Sequence, residues 1–121
     1  MKNVIRRRIP DGETFASLTP AELGGLMLEE MCGFTAQDSG QLQLRSFTGL
    51  FTGRSRESPY PEQHWDAING AVSEAWAWLI AQGFIARHHE GGEHGWIFIT
   101  RQGRKAGSEK GVLEFRKALP P

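Results

Sequence analysis

The chain has 121 residues and a mass of 13.5 kDa, a length that fits one hydrophobic core and is too short for two. Hydrophobic residues make up 39% and charged residues 23%, which excludes a disordered or collagen-like chain. Fourteen Lys and Arg balance fourteen Asp and Glu, so any binding driven by charge requires a local patch.

The cysteine count and the apolar runs indicate the compartment. The single cysteine, Cys32, excludes a disulfide framework and a cysteine-rich zinc module, and it fits a reducing cytoplasm. No apolar run reaches the roughly 18 residues of a membrane span, and residues 1–13 lack the apolar stretch of a signal peptide. We therefore expect a cytoplasmic protein without membrane contact.

The first helix is predicted by the segment Thr19-Pro20-Ala21-Glu22. Thr19 suits the N-cap, Pro20 suits the first helical position, and Glu22 can accept a hydrogen bond from the backbone N–H of the cap. One apolar face follows at helical spacing, although Glu30 falls close to it and fits poorly: Leu23, Leu26, Met27 and Met31. Gly33 is the predicted end of this helix.

Two more helices are predicted downstream. After the turn at 38–40, apolar residues recur at helical intervals up to Gly53: Leu44, Phe47, Leu50 and Phe51. The polar segment 53–61 is predicted to be a loop. A third helix is predicted from Pro61 to Gln82, with its core face formed by Trp65, Ile68, Val72, Trp76 and Leu79.

A β-ribbon and a charged tail complete the predicted elements. Phe84–His88 and Trp96–Thr100 are rich in β-branched and aromatic residues, and the glycines between them suit a hairpin tip, so we predict an antiparallel pair. Residues 101–111 contain three glycines and five charged residues, so we expect a short helix or loop that buries little. Residues 112–119 are predicted to form a last amphipathic turn, and the final Leu-Pro-Pro indicates arrival at a linker.

Three helices followed by a ribbon with a glycine-rich tip is the order of a winged helix, an α+β fold that joins a three-helix bundle to a two-stranded antiparallel ribbon. The local sequence strengthens this assignment. The helix that runs into Gly83-Phe84-Ile85, and the strand that closes with Thr100-Arg101-Gln102-Gly103, resemble the common winged-helix pattern. We predict an N-terminal arm at 1–18, a winged-helix domain at 19–106 and a C-terminal tail or linker at 107–121.

A closer resemblance spans most of the chain. It rests on Ile9-Pro10-Asp11, Leu18–Leu23, Glu74–Leu79 and Trp96–Arg101, which resemble the N-terminal module of bacterial proteins linked to abortive infection and phage defence. In those proteins an all-helical C-terminal domain follows. The resemblance implies a non-catalytic adaptor that contacts a protein partner or an effector domain in the same polypeptide, and it supplies no binding residues.

The predicted third helix is poorly suited to duplex DNA. Its first turns, residues 62–70, carry Glu62 and Asp66 and no Lys or Arg, so DNA phosphates would repel them. Only Gln63, His64 and Asn69 are left to contact bases. An alternative function is a DNA-binding regulator that uses the ribbon through Arg87, His88, Arg101, Arg104 and Lys105. These residues, like the cluster at 6–8, can equally serve only to keep the surface soluble.

Two aromatic residues are candidates for partner binding. Trp78 lies well away from the core face of the third helix, so either a terminal segment covers it or it forms an exposed apolar anchor. Tyr60, in the loop before that helix, is the second candidate.

Metal binding and catalysis are both disfavoured. Five residues near the hairpin tip belong to types that bind zinc: His88, His89, Glu90, Glu93 and His94. Adjacent residues of a strand point to opposite faces, so His88 and His89 are not expected to share one ion. Cys32 sits near a helix C-terminus, which disfavours a thiolate, and hydrolase and nucleotide-binding motifs are absent. We expect neither an enzyme nor a cofactor.

Overall fold

The computed structural model describes residues 5, 8–32, 42–49, 51–52, 60–89 and 95–107. In chain order the helices are α1 (Gly12–Ser17), α2 (Pro20–Cys32), α3 (Leu44–Thr48), α4 (Trp65–Ala81) and α5 (Arg101–Gly107), and a 3-10 turn at Glu62–His64 precedes α4. The strands are β1 (Leu42–Gln43), β2 (Ile85–Arg87) and β3 (Trp96–Ile99). Helices and an antiparallel sheet together confirm the predicted α+β class.

Helix α2 begins where the sequence predicts, because its first turn forms a reciprocal cap. The backbone N–H of Thr19 donates to Glu22 Oε1 at 3.1 Å, and the N–H of Glu22 donates to Thr19 Oγ1 at 3.2 Å. These bonds satisfy donors that a helix start otherwise leaves unpaired. The apolar face that follows is buried, and the poorly fitting Glu30 is buried with it.

Helix α4 supplies the centre of the core. Four of its five predicted core residues are buried: Ile68, Val72, Trp76 and Leu79. The fifth, Trp65, is half-buried and uses its indole Nε1–H to donate to the carbonyl of Tyr60 at 2.9 Å. Trp65 therefore lies at the edge of the core rather than in its middle, and it anchors the chain segment that leads into α4.

The sheet contains the predicted ribbon and one strand more. β2 and β3 pair antiparallel with Ile85 opposite Ile99 and Arg87 opposite Ile97. β1 pairs with the other edge of β3, which gives the order β1-β3-β2. A strand of two residues is too short to show alternation in the sequence, which is why β1 was not predicted.

Helix α5 buries more than its composition suggests. The hydroxyl of Thr100 accepts from the N–H of Gly103 at 3.0 Å and caps the helix. Gly103 and Gly107 are buried and pack closely against their neighbours. A Cβ on Gly103 would overlap the carbonyl oxygen of Phe84, and one on Gly107 would overlap Cys32 Sγ. The predicted short helix is confirmed, and the expectation of little burial holds for its exposed residues Arg101, Gln102, Arg104 and Lys105 but not for the two glycines. Residues 108–121, with their predicted amphipathic turn, lie outside the described part.

The N-terminal residues belong to the same core as the rest. Ile5, Ile9 and Phe15 are buried, and the Phe15 ring meets the rings of Phe51 and Tyr60 edge-on at 5.3 and 5.2 Å. The boundary between an arm at 1–18 and a domain at 19–106 stays a prediction, and the predicted arm contributes these three side chains to the core that it shares with the domain.

Two polar contacts fix these N-terminal residues in place. Asp11 caps α1 by accepting from the N–H and the hydroxyl of Thr14 at 3.0 and 2.8 Å. The hydroxyl bond from Thr14, followed by its backbone bond, lowers the pKa of Asp11 below the usual value. Arg8 forms an ion pair with Glu29 at 3.1 Å, so one of the three N-terminal arginines is engaged within the fold.

Candidate functional surfaces

The outward side of α4 and its preceding turn is acidic. Glu62, Asp66 and Glu74 are exposed, and the whole segment 60–83 contains no Lys or Arg. Ala77 is also exposed, and Ile80 is the one large hydrophobic residue that stands exposed within the described ranges, at 40%. We call this surface, formed by Glu62, Asp66, Glu74, Ala77 and Ile80, the α4 face. It combines three carboxylates with the small side chain of Ala77 and the exposed apolar side chain of Ile80.

Trp78 is covered by α2. A Cβ on Gly24 would lie 2.6 Å from Cε3 of Trp78, so the indole fills the space that the missing side chain leaves. The ring also packs 5.9 Å from that of Phe84, and Trp78 as a whole is half-buried against the core. Trp78 thus joins α2 to α4 and is not a freely exposed anchor. Among the described residues the covering element is α2, and residues 108–121, which belong to one of the terminal segments that the sequence analysis considered, lie outside them.

Tyr60 is part of the core. Its side chain is 2% exposed, and its hydroxyl donates to the carbonyl of Ile9 at 2.6 Å. The expectation that Tyr60 forms a partner-binding surface is therefore corrected: the hydrophobic ring is packed and the one polar atom is already bonded inside the molecule.

The basic residues predicted at the ribbon lie on two elements. Arg87 is exposed at the end of β2, whereas three cations are exposed on α5: Arg101, Arg104 and Lys105. The hydroxyl of Thr100 donates to the carbonyl of Gly83 at 2.7 Å, so α5 starts beside the beginning of β2, away from Arg87. Arg101, Arg104 and Lys105 therefore share one side of α5, at helix positions i, i+3 and i+4, and Arg87 lies apart from them.

The two histidines that follow β2 do not point to opposite faces, as the sequence analysis expected of adjacent strand residues. The rings of His88 and His89 stack with centroids 4.6 Å apart and planes 20° apart. β2 ends at Arg87, so the alternation of a strand no longer applies to the two residues that follow. The described residues contain no group of three His, Cys, Asp or Glu that could hold a metal ion, and Glu90, Glu93 and His94 lie outside them.

The sheet also presents two aromatic side chains that the sequence analysis did not single out. Along β3, Ile97 and Ile99 are buried while Trp96 and Phe98 are half-buried on the opposite side. In the sequence of β3, aromatic residues alternate with isoleucines, and this period of two indicates that the two kinds of residue lie on opposite sides of the sheet. All four residues are apolar, so the sequence does not reveal which pair faces the core.

Cys32 lies at the end of α2 under α5. Its half-buried thiol is 4.0 Å from the carbonyl oxygen of Gly103 and lies against Gly107. This position makes Cys32 part of the packing between the two helices.

Comparisons with known proteins provide no relative: no protein-family model, no curated protein and no solved structure matches this chain. Across the described ranges, none of the helices has both the length and the apolar character needed to cross a membrane.

Proposed function

We propose that this chain is a non-catalytic winged-helix module that binds a protein partner through the α4 face. The order of elements supports the fold: α2, α3 and α4 precede the β2–β3 ribbon, and β1 adds to the ribbon edge. In a DNA-binding winged helix the third helix enters the major groove, and α4 is the corresponding helix of this fold.

The charge of the α4 face is the observation that carries the proposal. A helix that enters the major groove must approach phosphates, and proteins gain most of their non-specific DNA affinity by neutralising phosphates with cations. This helix and its preceding turn offer three exposed carboxylates and no cation. The same carboxylates suit a basic protein surface, since complementary charge accelerates association and excludes wrong partners.

The shape of the α4 face fits a packed partner element. Ala77 is an exposed residue of this face, and beside the face lies Gly70, which is also exposed and at which a Cβ would meet nothing within 4 Å. Small side chains let another backbone approach closely, and Ile80 provides an apolar contact beside them. The partner is therefore a basic protein segment with at least one apolar residue.

The resemblance to phage-defence proteins stays a prediction. It specifies the partner as an effector domain in the same polypeptide or a separate protein. The absence of catalysis, the absence of a cofactor and the cytoplasmic location are likewise predictions from the sequence.

Site-directed photo-crosslinking tests the proposal in cells. We expect a photoreactive residue at Ala77 to form an adduct with a protein, and Asp66→Lys with Glu74→Lys to abolish that adduct. The matched control is Glu13→Lys, which reverses an exposed carboxylate on α1 and should leave the adduct unchanged. Submicromolar, salt-sensitive binding of generic duplex DNA by the purified chain, or adducts only with nucleic acid, would overturn the proposal.

The alternative function is a DNA-binding regulator that uses the ribbon. The observation that favours it is the exposure of Arg87 and Arg101, together with the absence of acidic residues from β2, β3 and α5. It requires that Arg87→Glu with Arg101→Glu abolishes retardation of duplex DNA on a gel. Unchanged retardation removes this alternative.

A further inference from the structure

Helix α5 presents a cationic side to the solvent. Arg101, Arg104 and Lys105 are exposed and share this side, and α5 contains no acidic residue. The opposite side of the helix carries its two glycines, which are both buried. The buried side fixes the helix in place, and the three cations therefore point outward. We call Arg101, Arg104 and Lys105 the α5 side.

The carboxylates of the α4 face have the opposite sign and are not neutralised within the fold. Neither Asp66 nor Glu74 forms an ion pair with a Lys or Arg of the described ranges. Arg101 likewise forms no ion pair with an Asp or Glu there. These three charges are therefore available to a second molecule.

The two surfaces also match in length and shape. Asp66 and Glu74 are separated by about 12 Å along the axis of α4, and the seven residues of α5 span about 10 Å. The small residues Gly70 and Ala77 let a short helix approach this part of α4 closely. The methylene stems of arginine and lysine can cover Ile80 while their charged ends stay in water. The α5 side therefore supplies both the charge and the apolar contact that the α4 face requires.

The charge of the whole chain favours a second copy as the partner. The formal net charge is zero, so two copies do not repel each other through their total charge. Every copy carries both an acidic and a basic surface, and the two surfaces lie on different helices and share no residue. One copy can therefore use its α4 face and still offer its α5 side to another copy.

We propose that the α4 face binds the α5 side of a second copy of this chain in a head-to-tail contact. This inference rests on the proposed function of the α4 face and names its partner. Because the two contacting surfaces differ, each copy at the end of an assembly keeps one surface unused, and association either continues along a line or closes into a ring. The contact depends on a few exposed charge pairs, so the association is weak and falls with added salt.

Analytical ultracentrifugation of the purified chain at millimolar concentration and low ionic strength tests the proposal. We expect the parent chain to self-associate and added salt to dissociate it. Glu74→Lys and Arg101→Glu should each weaken self-association about threefold or more, because an attractive charge pair becomes repulsive. An equimolar mixture of the two variants should recover most of the parent's association, because each variant supplies the charge that the other has lost.

The matched control is an equimolar mixture of Glu13→Lys and Arg45→Glu. These substitutions reverse exposed charges on α1 and α3, and they change the net charge by the same amounts as the test pair. We expect each control variant, and their mixture, to associate as the parent does. An attraction that depended on net charge alone would appear in both mixtures. Circular dichroism melting shows whether each variant is folded.

Three outcomes would overturn the proposal: a parent chain that stays monomeric, a test mixture no more associated than its separate variants, or a control mixture that associates more strongly than the parent. The photo-crosslink at Ala77 separates this inference from the proposed function. An adduct of twice the mass of the chain supports both. An adduct with a different protein, from a chain that is monomeric when purified, overturns the inference and leaves the proposed function in place. The absence of any protein adduct contradicts both.

Discussion

Gly103 and Gly70 form a matched pair for testing how α5 is held against the sheet. Both are helical, so replacing either with alanine removes the same conformational freedom from the unfolded chain and adds one methyl group to the folded one. Their surroundings differ completely. A Cβ on Gly70 would meet nothing within 4 Å, whereas one on Gly103 would overlap the carbonyl oxygen of Phe84 and lie 3.0 Å from Ile99 Cγ2.

The two substitutions should therefore change stability in opposite directions. Gly70→Ala should raise the free energy of unfolding by about 0.5–1 kcal/mol, the usual gain of alanine over glycine within a helix. Gly103→Ala gains the same free energy from the unfolded chain, but its new methyl group overlaps the carbonyl oxygen of Phe84 and forces α5 away from that backbone. Overpacking costs about 1–3 kcal/mol, and a backbone obstacle favours the upper end, so we expect a net loss of about 2 kcal/mol.

Urea unfolding followed by tryptophan fluorescence measures both changes as shifts of the midpoint at constant slope. Thermal melting should move in parallel by about 3–6 °C per kcal/mol for a chain of this length. A Gly103→Ala variant as stable as the parent would refute the close packing of α5 on Phe84. A destabilised Gly70→Ala would show instead that the outward side of α4 is covered in the free protein.

Three further predictions concern the contacts that hold the N-terminal residues against the core. Tyr60→Phe leaves the buried carbonyl of Ile9 without its donor and should lower the free energy of unfolding by about 1–3 kcal/mol in urea, whereas an unchanged midpoint would contradict this bond. Arg8→Ala leaves Glu29, which is 7% exposed, without its cation, and we expect the free energy of unfolding to fall by about 1–2 kcal/mol. Adding Glu29→Gln should restore most of this loss, because the buried charge is then removed. Additive losses from the two substitutions would contradict the ion pair. The lowered pKa of Asp11 means that its charge stabilises the fold above its unfolded pKa and that this contribution disappears as the pH falls through the folded pKa. Melting temperatures between pH 7 and pH 2 should therefore fall more for the parent than for Asp11→Asn, and parallel curves would exclude this role.

The sequence predicted the elements whose signals are local. The cap at Thr19 and the spacing of apolar residues along α4 depend on neighbours within one or two turns, so both were visible without coordinates. The ribbon was predicted for the same reason, since its strands are close in the chain and joined by glycines.

The errors concern contacts between distant residues. The sequence did not predict that Phe15 of the N-terminal arm packs against Phe51 and Tyr60, because these rings are far along the chain and supply no periodic signal. The glycines of α5 were interpreted as signs of poor burial, although Gly103 is buried because its lack of a side chain permits the contact with Phe84. Such packing becomes visible only when the partner surface is known.

The same limit explains why the overall charge was uninformative about the surfaces. The formal net charge of the whole chain is zero, yet the chain contains segments of opposite sign: residues 60–83 carry carboxylates and no Lys or Arg, whereas β2, β3 and α5 carry cations and no acidic residue. A balanced total therefore coexists with two charged regions on different elements.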